Sequence, residues 1–251
     1  MAQYLMVFSP TGGTRRVADL LAEGMGGQWQ VVNLLRPVEA AALTAEDRCL
    51  VCVPSYGGRV PAVAVERLGA FTGNGAKAVL VCVYGNREWE DTLTELQDTM
   101  EAAGFVCPAA VAAVAEHSIF RQYAAGRPDN DDARQLADFA RRICEKLQSG
   151  STDAPALAGA HGTYKEFHGS ALKPEANHNC VSCGLCAREC PVDAIDPADP
   201  GKTDAAKCIS CMRCVMACRQ HARDLNKIIL ADIAARLEKA LGGHKENHLF
   251  L

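Results

Sequence analysis

The sequence lacks any apolar stretch long enough to cross a membrane. A bilayer span needs about 18 or more consecutive apolar residues, and no run in the 251 residues approaches that length. The chain also has no excess of basic residues, since its formal net charge is -4. Because nucleic-acid-binding proteins carry basic stripes or patches, we expect neither a membrane span nor a nucleic-acid partner.

The first residues also lack the features of a secretory signal. Residues 1–7 have neither a basic start nor a long apolar stretch. The chain nevertheless contains 13 cysteines, and a disulfide framework would require an oxidising compartment. We therefore expect reduced cysteines and a cytoplasmic location.

Eight of the cysteines form two runs with the same spacing, Cys-x2-Cys-x2-Cys-x3-Cys, and 17 residues separate the runs. Pro191 follows the first run and Arg219 the second. This spacing is that of bacterial ferredoxins with two [4Fe-4S] clusters, in which the fourth cysteine of each run ligates the other cluster. Structural zinc is a poor alternative, because it usually takes two separated Cys-x2-Cys pairs or cysteine with histidine. The pattern predicts one cluster on Cys180, Cys183, Cys186 and Cys218, and the other on Cys190, Cys208, Cys211 and Cys214.

The remaining five cysteines are scattered among aliphatic residues. A catalytic role would require a partnered histidine or a helix N-terminus, and the neighbouring sequence shows neither. We expect small buried hydrophobic residues at Cys49, Cys52, Cys82, Cys107 and Cys144.

The first 147 residues alternate short apolar runs with amphipathic stretches, which is typical of an α/β domain with a parallel sheet between two helical layers. We predict five strands, at 3–8, 29–34, 49–53, 76–84 and 105–114. We predict four helices, at 14–24, 62–69, 88–103 and 131–147, the last capped by Asn130 or Asp131. In such a doubly wound sheet the ligand binds beyond the carboxyl ends of the strands.

The loop after the first strand has the composition of a phosphate site. It contains hydroxyl side chains and glycines directly before a helix, where backbone N–H groups and the helix dipole favour an anion. It has neither the P-loop lysine nor Gly-x-Gly-x-x-Gly, so a terminal phosphomonoester fits better than a triphosphate or a dinucleotide. A plain strand-to-helix connection is the alternative. The candidate residues are Ser9, Thr11, Gly12, Gly13 and Thr14.

Two further loops, after the third and fourth strands, each place an aromatic residue before glycine. The tyrosines could stack on a planar ring, and the glycines allow close backbone approach; alternatively, both tyrosines are core or surface aromatics. Arg59 could offset negative charge on a reduced ring. The candidates are Pro54, Ser55, Tyr56, Gly57 and Gly58 in one loop and Tyr84, Gly85, Asn86 and Arg87 in the other.

Histidines complete the set of candidates. His117 follows the fifth strand, where it could donate to a ligand oxygen or shuttle a proton; a satisfied loop histidine is the alternative. His161, His168 and His178 are irregularly spaced, which favours solvated loop residues over a metal site.

The segment Ser9–Thr14 resembles the flavodoxin phosphate loop, Ser/Thr-x-Thr-Gly-x-Thr, and the Tyr-Gly loops stand where flavodoxins hold their isoalloxazine ring. With the cysteine runs, the chain resembles bacterial fusions of a flavodoxin-like domain to a two-cluster ferredoxin domain. The resemblance implies a five-stranded sheet in the order 2-1-3-4-5, non-covalent FMN, and a smaller α+β ferredoxin-like domain. Arg59 and Arg87 depart from the acidic and tryptophan positions of long-chain flavodoxins.

We therefore predict a flavodoxin-like domain over 1–147, a linker over 148–176, a two-[4Fe-4S] domain over 177–224, and a C-terminal helix and tail over 225–251 that pack back on the body. The first hypothesis is an electron-transfer flavoprotein of anaerobic metabolism that relays electrons among FMN, its clusters and an external redox protein or enzyme. The alternatives are an FMN-dependent reductase that binds a small anion through Arg59, Arg87 and His117, and a redox or oxygen sensor. A homodimer is compatible with each.

Overall fold

The computed structural model describes residues 1–167 and 169–251, so His168 lies outside the described residues. The strands are β1 (Gln3–Val7), β2 (Trp29–Asn33), β3 (Ala41–Ala42), β4 (Arg48–Pro54), β5 (Phe71–Thr72), β6 (Lys77–Tyr84), β7 (Val106–Val114), β8 (Glu175–Ala176), β9 (Arg223–Asp224) and β10 (His248–Phe250). The helices are α1 (Gly13–Met25), α2 (Ala62–Leu68), α3 (Thr92–Ala102), α4 (Asn130–Gln148), α5 (Leu185–Glu189), α6 (Arg213–Ala217) and α7 (Lys227–Leu241).

The central sheet has the order β2-β1-β4-β6-β7-β10. Its five long strands run parallel to one another and confirm the predicted order 2-1-3-4-5, the flavodoxin-like form of a doubly wound sheet. A sixth strand, β10, was not predicted as a strand. It pairs antiparallel with β7, with Leu249 opposite Val111, so the C-terminal residues cover an edge that would otherwise expose unpaired backbone groups.

Both faces of the sheet are buried. The central strands β4, β6 and β7 are buried at every position after the first residue, which explains their near-continuous apolar sequence. Helices α1 and α4 cover one face, with Leu21 and Ile143 in its apolar cluster. Helices α2 and α3 cover the other, with Leu68 and Leu96 in that cluster.

Two predicted helix starts differ from the structure. Helix α4 is capped by Asp129, whose side chain accepts from the Asp132 N–H while the Asp132 side chain accepts from the Asp129 N–H. This reciprocal capping box excludes the predicted caps, Asn130 and Asp131. Helix α3 begins at Thr92, later than predicted, since Glu90 has φ at 42°, which is outside the range of a right-handed helix.

The segment 148–176, predicted to be a linker, is tied to α3 and its preceding turn. The Asp98 carboxylate accepts from the Gly162 N–H at 3.0 Å and from the Tyr164 hydroxyl. The Asp91 carboxylate accepts from the Lys165 N–H at 2.6 Å. These contacts bring the segment across the carboxyl ends of the strands.

The cysteine-rich part contains two five-residue helices, α5 and α6, and the β8–β9 pair. Helix α7 then packs through Leu241 against Phe120 and Leu172, so it contacts both the first 147 residues and the 148–176 segment. None of the helices among the described residues is long and apolar enough to cross a membrane.

Candidate functional site

A cavity of about 470 Å³ lies at the carboxyl ends of the long parallel strands. This volume falls within the range of about 300–1,000 Å³ that is usual for small-molecule and cofactor sites. Of the fifteen residues predicted there, those that line it are Thr11, Gly13, Thr14, Pro54, Ser55, Tyr56, Gly57, Tyr84, Gly85, Arg87 and His117. Four predicted residues are not among its lining: Ser9, Gly12, Gly58 and Asn86.

The first loop presents the N-terminus of α1 to this cavity. Gly12 precedes the helix with φ at 98° and, as a glycine, supplies no side-chain cap. The Ser9 hydroxyl accepts from the Arg15 N–H at 2.9 Å, so Ser9 shapes the turn from outside the cavity. The Gly13 and Thr14 end of the helix is left facing the cavity, in the arrangement that favours an anion.

The loop after β4 closes tightly at Tyr56. Tyr56 and Arg59 exchange two backbone hydrogen bonds, of 2.9 and 3.2 Å, with Gly57 at φ 62° between them. Burial raises the pKa of the Tyr56 hydroxyl well above its usual range, and the nearby Cys211 sulfur adds to the effect. Tyr56 lines the cavity, and it packs against the same apolar cluster as Ile209 of the second cysteine run.

Phe167 is a cavity residue that the sequence did not predict. A Cβ on Gly57 would lie 2.1 Å from the Phe167 ring, so the ring packs directly on the glycine backbone. Phe167 is 42% exposed and lines the cavity. It belongs to the segment predicted as linker, where nothing in the sequence distinguishes it from an exposed apolar residue.

Two predicted residues at the end of β6 bond to the C-terminal part of the chain: Tyr84, which also lines the cavity, and Asn86, which does not. The Tyr84 hydroxyl donates to the Glu246 carbonyl at 2.8 Å and the residue is 3% exposed, which matches the core-aromatic alternative. Asn86 donates to the Leu241 carbonyl at 2.6 Å and the Gly243 carbonyl at 2.8 Å. Asn86 thus fastens the end of α7 and is not a cavity residue.

The two arginines considered for charge compensation are ion-paired. Arg59 forms two hydrogen bonds with Glu95, of 2.7 and 2.8 Å, and does not line the cavity. Arg87 lines the cavity but pairs with Glu90 at 2.7 Å, and Glu90 also pairs with Lys165 at 2.7 Å. The prediction that Arg59 faces a bound ring is therefore wrong.

His117 is held in one orientation at the cavity wall. Its Nδ1 accepts from the Ile119 and Phe120 N–H groups, each at 3.1 Å. Burial, with a smaller effect from Arg87, lowers the pKa of His117 to about 4. The imidazole is therefore neutral near pH 7 with its proton on Nε2, which suits a hydrogen-bond donor better than a proton shuttle.

The eight cysteines of the two runs surround two small cavities. One is lined by Cys190, Cys208, Cys211 and Cys214. The other is lined by Cys180, Cys183, Cys186 and Cys218. Each cavity thus takes three cysteines from one run and the fourth from the other, the same sets that the spacing predicts.

These sets suit a cluster rather than a single ion. In the described ranges, no group of three or more His, Cys, Asp or Glu side chains is arranged to hold a metal ion. A [4Fe-4S] cluster takes one cysteine at each iron, so its cysteines stand farther apart than the ligands of one zinc ion. The two cysteine sets therefore have the spacing expected for cluster ligands, and not the closer spacing expected for the ligands of a single metal ion.

The two runs fold alike around their cavities. Cys190 Sγ accepts from the Ala194 N–H at 3.3 Å, and Cys218 Sγ accepts from the Ala222 N–H at 3.2 Å. Such N–H groups stabilise negative charge on cluster sulfurs and raise the reduction potential. Burial raises the pKa of the Cys214 thiol to about 11, and the nearby charge of Arg223, which is 3% exposed, opposes this rise.

The other cysteines are buried as predicted, except that Cys144 is only half-buried. Burial raises the pKa of the Cys49 and Cys107 thiols to about 12, so both stay protonated at neutral pH. They belong to the apolar core.

The cysteine-rich part is held to the sheet domain by charged contacts. Glu189 pairs with Arg36 at 2.7 Å and also with Arg213. Arg213 reaches the Pro10 carbonyl at 3.4 Å, and Arg67 donates to the Pro191 carbonyl at 2.7 Å. The interface therefore brings the cysteine-rich part to the mouth of the 470 Å³ cavity.

Comparison with known proteins identifies the cysteine-rich part of the chain. Residues 168–223 match the family model of the 4Fe-4S dicluster domain. A comparison with curated proteins finds no match.

Among solved structures, the chain is similar to a flavodoxin from Streptococcus pneumoniae TIGR4, with 19% identity, a TM-score of 0.41, and coverage of 58% of this chain and 98% of that chain. It is also similar to rubredoxin oxygen:oxidoreductase from Desulfovibrio gigas, with 16% identity, a TM-score of 0.39, and coverage of 59% and 35%. A flavodoxin from the domain Archaea gives 14% identity, a TM-score of 0.37, and coverage of 59% and 99%. At these low TM-scores the fold assignment depends on the observed strand order.

The chain therefore joins a flavodoxin-like α/β domain to a 4Fe-4S dicluster domain. The dicluster domain and its eight cysteines imply two [4Fe-4S] clusters. Proteins built from these two domain types transfer electrons.

Proposed function

We propose that this protein is an electron-transfer flavoprotein that binds FMN in the 470 Å³ cavity and relays electrons between it, two [4Fe-4S] clusters and an external redox protein. Bound FMN would supply the ability to take up electrons as a pair and release them singly. The clusters would each carry one electron. The chain's own residues would hold these groups close together and away from water.

The cavity residues fit the parts of FMN. The Gly13 and Thr14 end of α1, with Thr11 beside it, suits the phosphate. Tyr56 and Phe167 supply aromatic surface for the ring. The neutral His117, with Nε2–H free of the backbone contacts made by Nδ1, suits a ring carbonyl oxygen.

The cysteine sets at the two small cavities would ligate the clusters. We assign Cys190, Cys208, Cys211 and Cys214 to one cluster and Cys180, Cys183, Cys186 and Cys218 to the other. Backbone N–H groups at Ala194 and Ala222 would stabilise the reduced state of each.

One observation supports the relay above all others: Ile209 lines both the large cavity and one cysteine cavity. The proposed flavin site and the proposed cluster site therefore share a wall residue within one chain. Electron exchange between them would need no second copy of the chain.

The contacts of the arginines argue against the reductase alternative. A reductase of a small anion would need an uncommitted positive charge over the ring. Arg59 is paired with Glu95, Arg87 is paired with Glu90, and His117 is neutral. The carrier hypothesis requires none of these charges.

The test is an anaerobic preparation of the full chain, analysed for iron, acid-labile sulfide and released flavin. We expect about eight irons per chain and one FMN per chain, identified as FMN by chromatography. Zinc in place of iron, or iron without flavin in a preparation supplied with FMN, would contradict the proposal.

A further inference from the structure

We propose that Ser210, which belongs to the dicluster domain, hydrogen-bonds the isoalloxazine ring of the flavin. This inference rests on the proposed function and assigns to the flavin site a residue from outside the flavodoxin-like domain. It makes the Cys208–Cys211 loop a shared element of the flavin site and the nearer cluster site.

The Ser210 hydroxyl is buried without a partner. Ser210 is 6% exposed and lines the 470 Å³ cavity. Its Oγ finds no hydrogen-bond partner within the part of the chain that the structure describes. Because an unpaired buried hydroxyl is costly, this atom calls for a polar partner in the cavity that it lines.

The other cysteine run supplies an internal comparison. Ser182 occupies the corresponding position, between Cys180 and Cys183, and has φ at 52° where Ser210 has 54°. Ser182 is exposed, whereas Ser210 is buried against the cavity. The burial of Ser210 therefore comes from docking on the sheet domain and not from the loop conformation itself.

The residues beside the two serines differ in the same way. Val181 is 63% exposed. Ile209, its counterpart, packs against the apolar cluster of the sheet domain and lines the cavity. The cluster held by Cys190, Cys208, Cys211 and Cys214 is thus the one adjacent to the flavin, and the other faces away.

The position of Tyr56 indicates which end of the flavin Ser210 meets. Tyr56 belongs to the loop that suits the ring, and it packs against the same apolar cluster of the sheet domain as Ile209 does. Ser210 directly follows Ile209. The ring, rather than the phosphate at the N-terminus of α1, is therefore the nearer partner.

The experiment measures flavin affinity in the full chain with its clusters in place. Wild type, Ser210→Ala and the matched control Ser182→Ala are prepared anaerobically, freed of flavin, checked for equal iron content, and titrated with FMN and with riboflavin. Loss of one hydrogen bond should weaken both ligands about 3- to 10-fold in Ser210→Ala. Ser182→Ala should bind both as the wild type does.

Three results would overturn the inference, each in a distinct way. Wild-type affinity in Ser210→Ala overturns the contact alone, and a loss seen with FMN but not riboflavin overturns its assignment to the ring. A cluster-loaded wild type that binds neither flavin overturns the proposed function and this inference together. If alanine lowers iron content, Ser210→Gly removes the same hydroxyl and suits the positive φ, with Ser182→Gly as its control.

Discussion

The buried imidazole of His117 should make the stability of the protein depend on pH in a defined window. The pKa of His117 is lowered from 6.5 to about 4 in the folded chain. Between these values the unfolded chain binds a proton at this position and the folded chain does not. Stability is therefore complete above pH 6.5 and falls as the pH drops toward 4.

The size of the effect follows from the two pKa values. A shift from 6.5 to about 4 corresponds to a total of about 3 kcal/mol. Between pH 8 and pH 5.5 the loss should be about 1.4 kcal/mol. The variant His117→Asn removes the titration while its Oδ1 can still accept from the Ile119 and Phe120 N–H groups.

The pH-dependent loss of stability can be measured by native-state hydrogen exchange of the buried β7 amides, corrected for intrinsic exchange rates. This method does not unfold the cluster domain irreversibly. Wild type should lose about 1.4 kcal/mol more protection than His117→Asn between pH 8 and pH 5.5. His244→Asn, which replaces an exposed histidine, should keep the wild-type dependence. Equal pH dependence in wild type and His117→Asn would show that His117 protonates normally, and the reasoning would be refuted.

Three further predictions concern stability. Asn247→Ala removes a buried amide that hydrogen-bonds Val114, Asp132 and Gln135 at 2.7–2.8 Å. We expect the free energy of unfolding to fall by about 2 kcal/mol and the β10 amides to exchange faster. Unchanged protection of β10 would contradict this prediction. Glu95→Gln leaves the Arg59 charge without its partner, and the two side chains are largely buried, with Glu95 9% and Arg59 26% exposed. We therefore expect thermal unfolding to show about 3 kcal/mol lower stability. The control Arg141→Gln should leave the stability nearly unchanged. Removal of iron should unfold residues 177–224, because the buried members of their own apolar cluster are only Cys186, Ala187, Ile195 and Cys214. The central sheet should keep its protection from hydrogen exchange. Equal protection of both parts after chelation would contradict this prediction.

Sequence patterns predicted the parts of the molecule that depend on local periodicity or on fixed spacing. The apolar runs of β4 and β6 were confirmed, as was the order of the five parallel strands, which the resemblance to flavodoxins implied. The cysteine spacing predicted the two sets that line the small cavities, because cluster geometry restricts how a short loop can surround it. The glycine-rich turn at Gly12–Gly13 likewise reflects a local requirement at the start of α1.

Side-chain partners were harder to predict. Tyr84 and Asn86 follow a strand in the pattern of a ring-binding loop, but both bond to the C-terminal segment, more than 150 residues later. Arg59 was considered for a ligand and is paired with Glu95 of α3. No local pattern specifies such pairings, because they depend on which segments meet after folding.

The sequence by itself determined that the chain would form a doubly wound sheet and two cysteine-lined sites, since strand periodicity and ligand spacing act over a few residues at a time. The tertiary structure alone decided which of two equivalent loops faces the cavity. Ser182 and Ser210 each stand between an aliphatic residue and a cysteine, and their φ angles are 52° and 54°. Only the docking of one run on the sheet domain buries Ser210 and leaves Ser182 exposed, because burial is a property of the assembled surfaces.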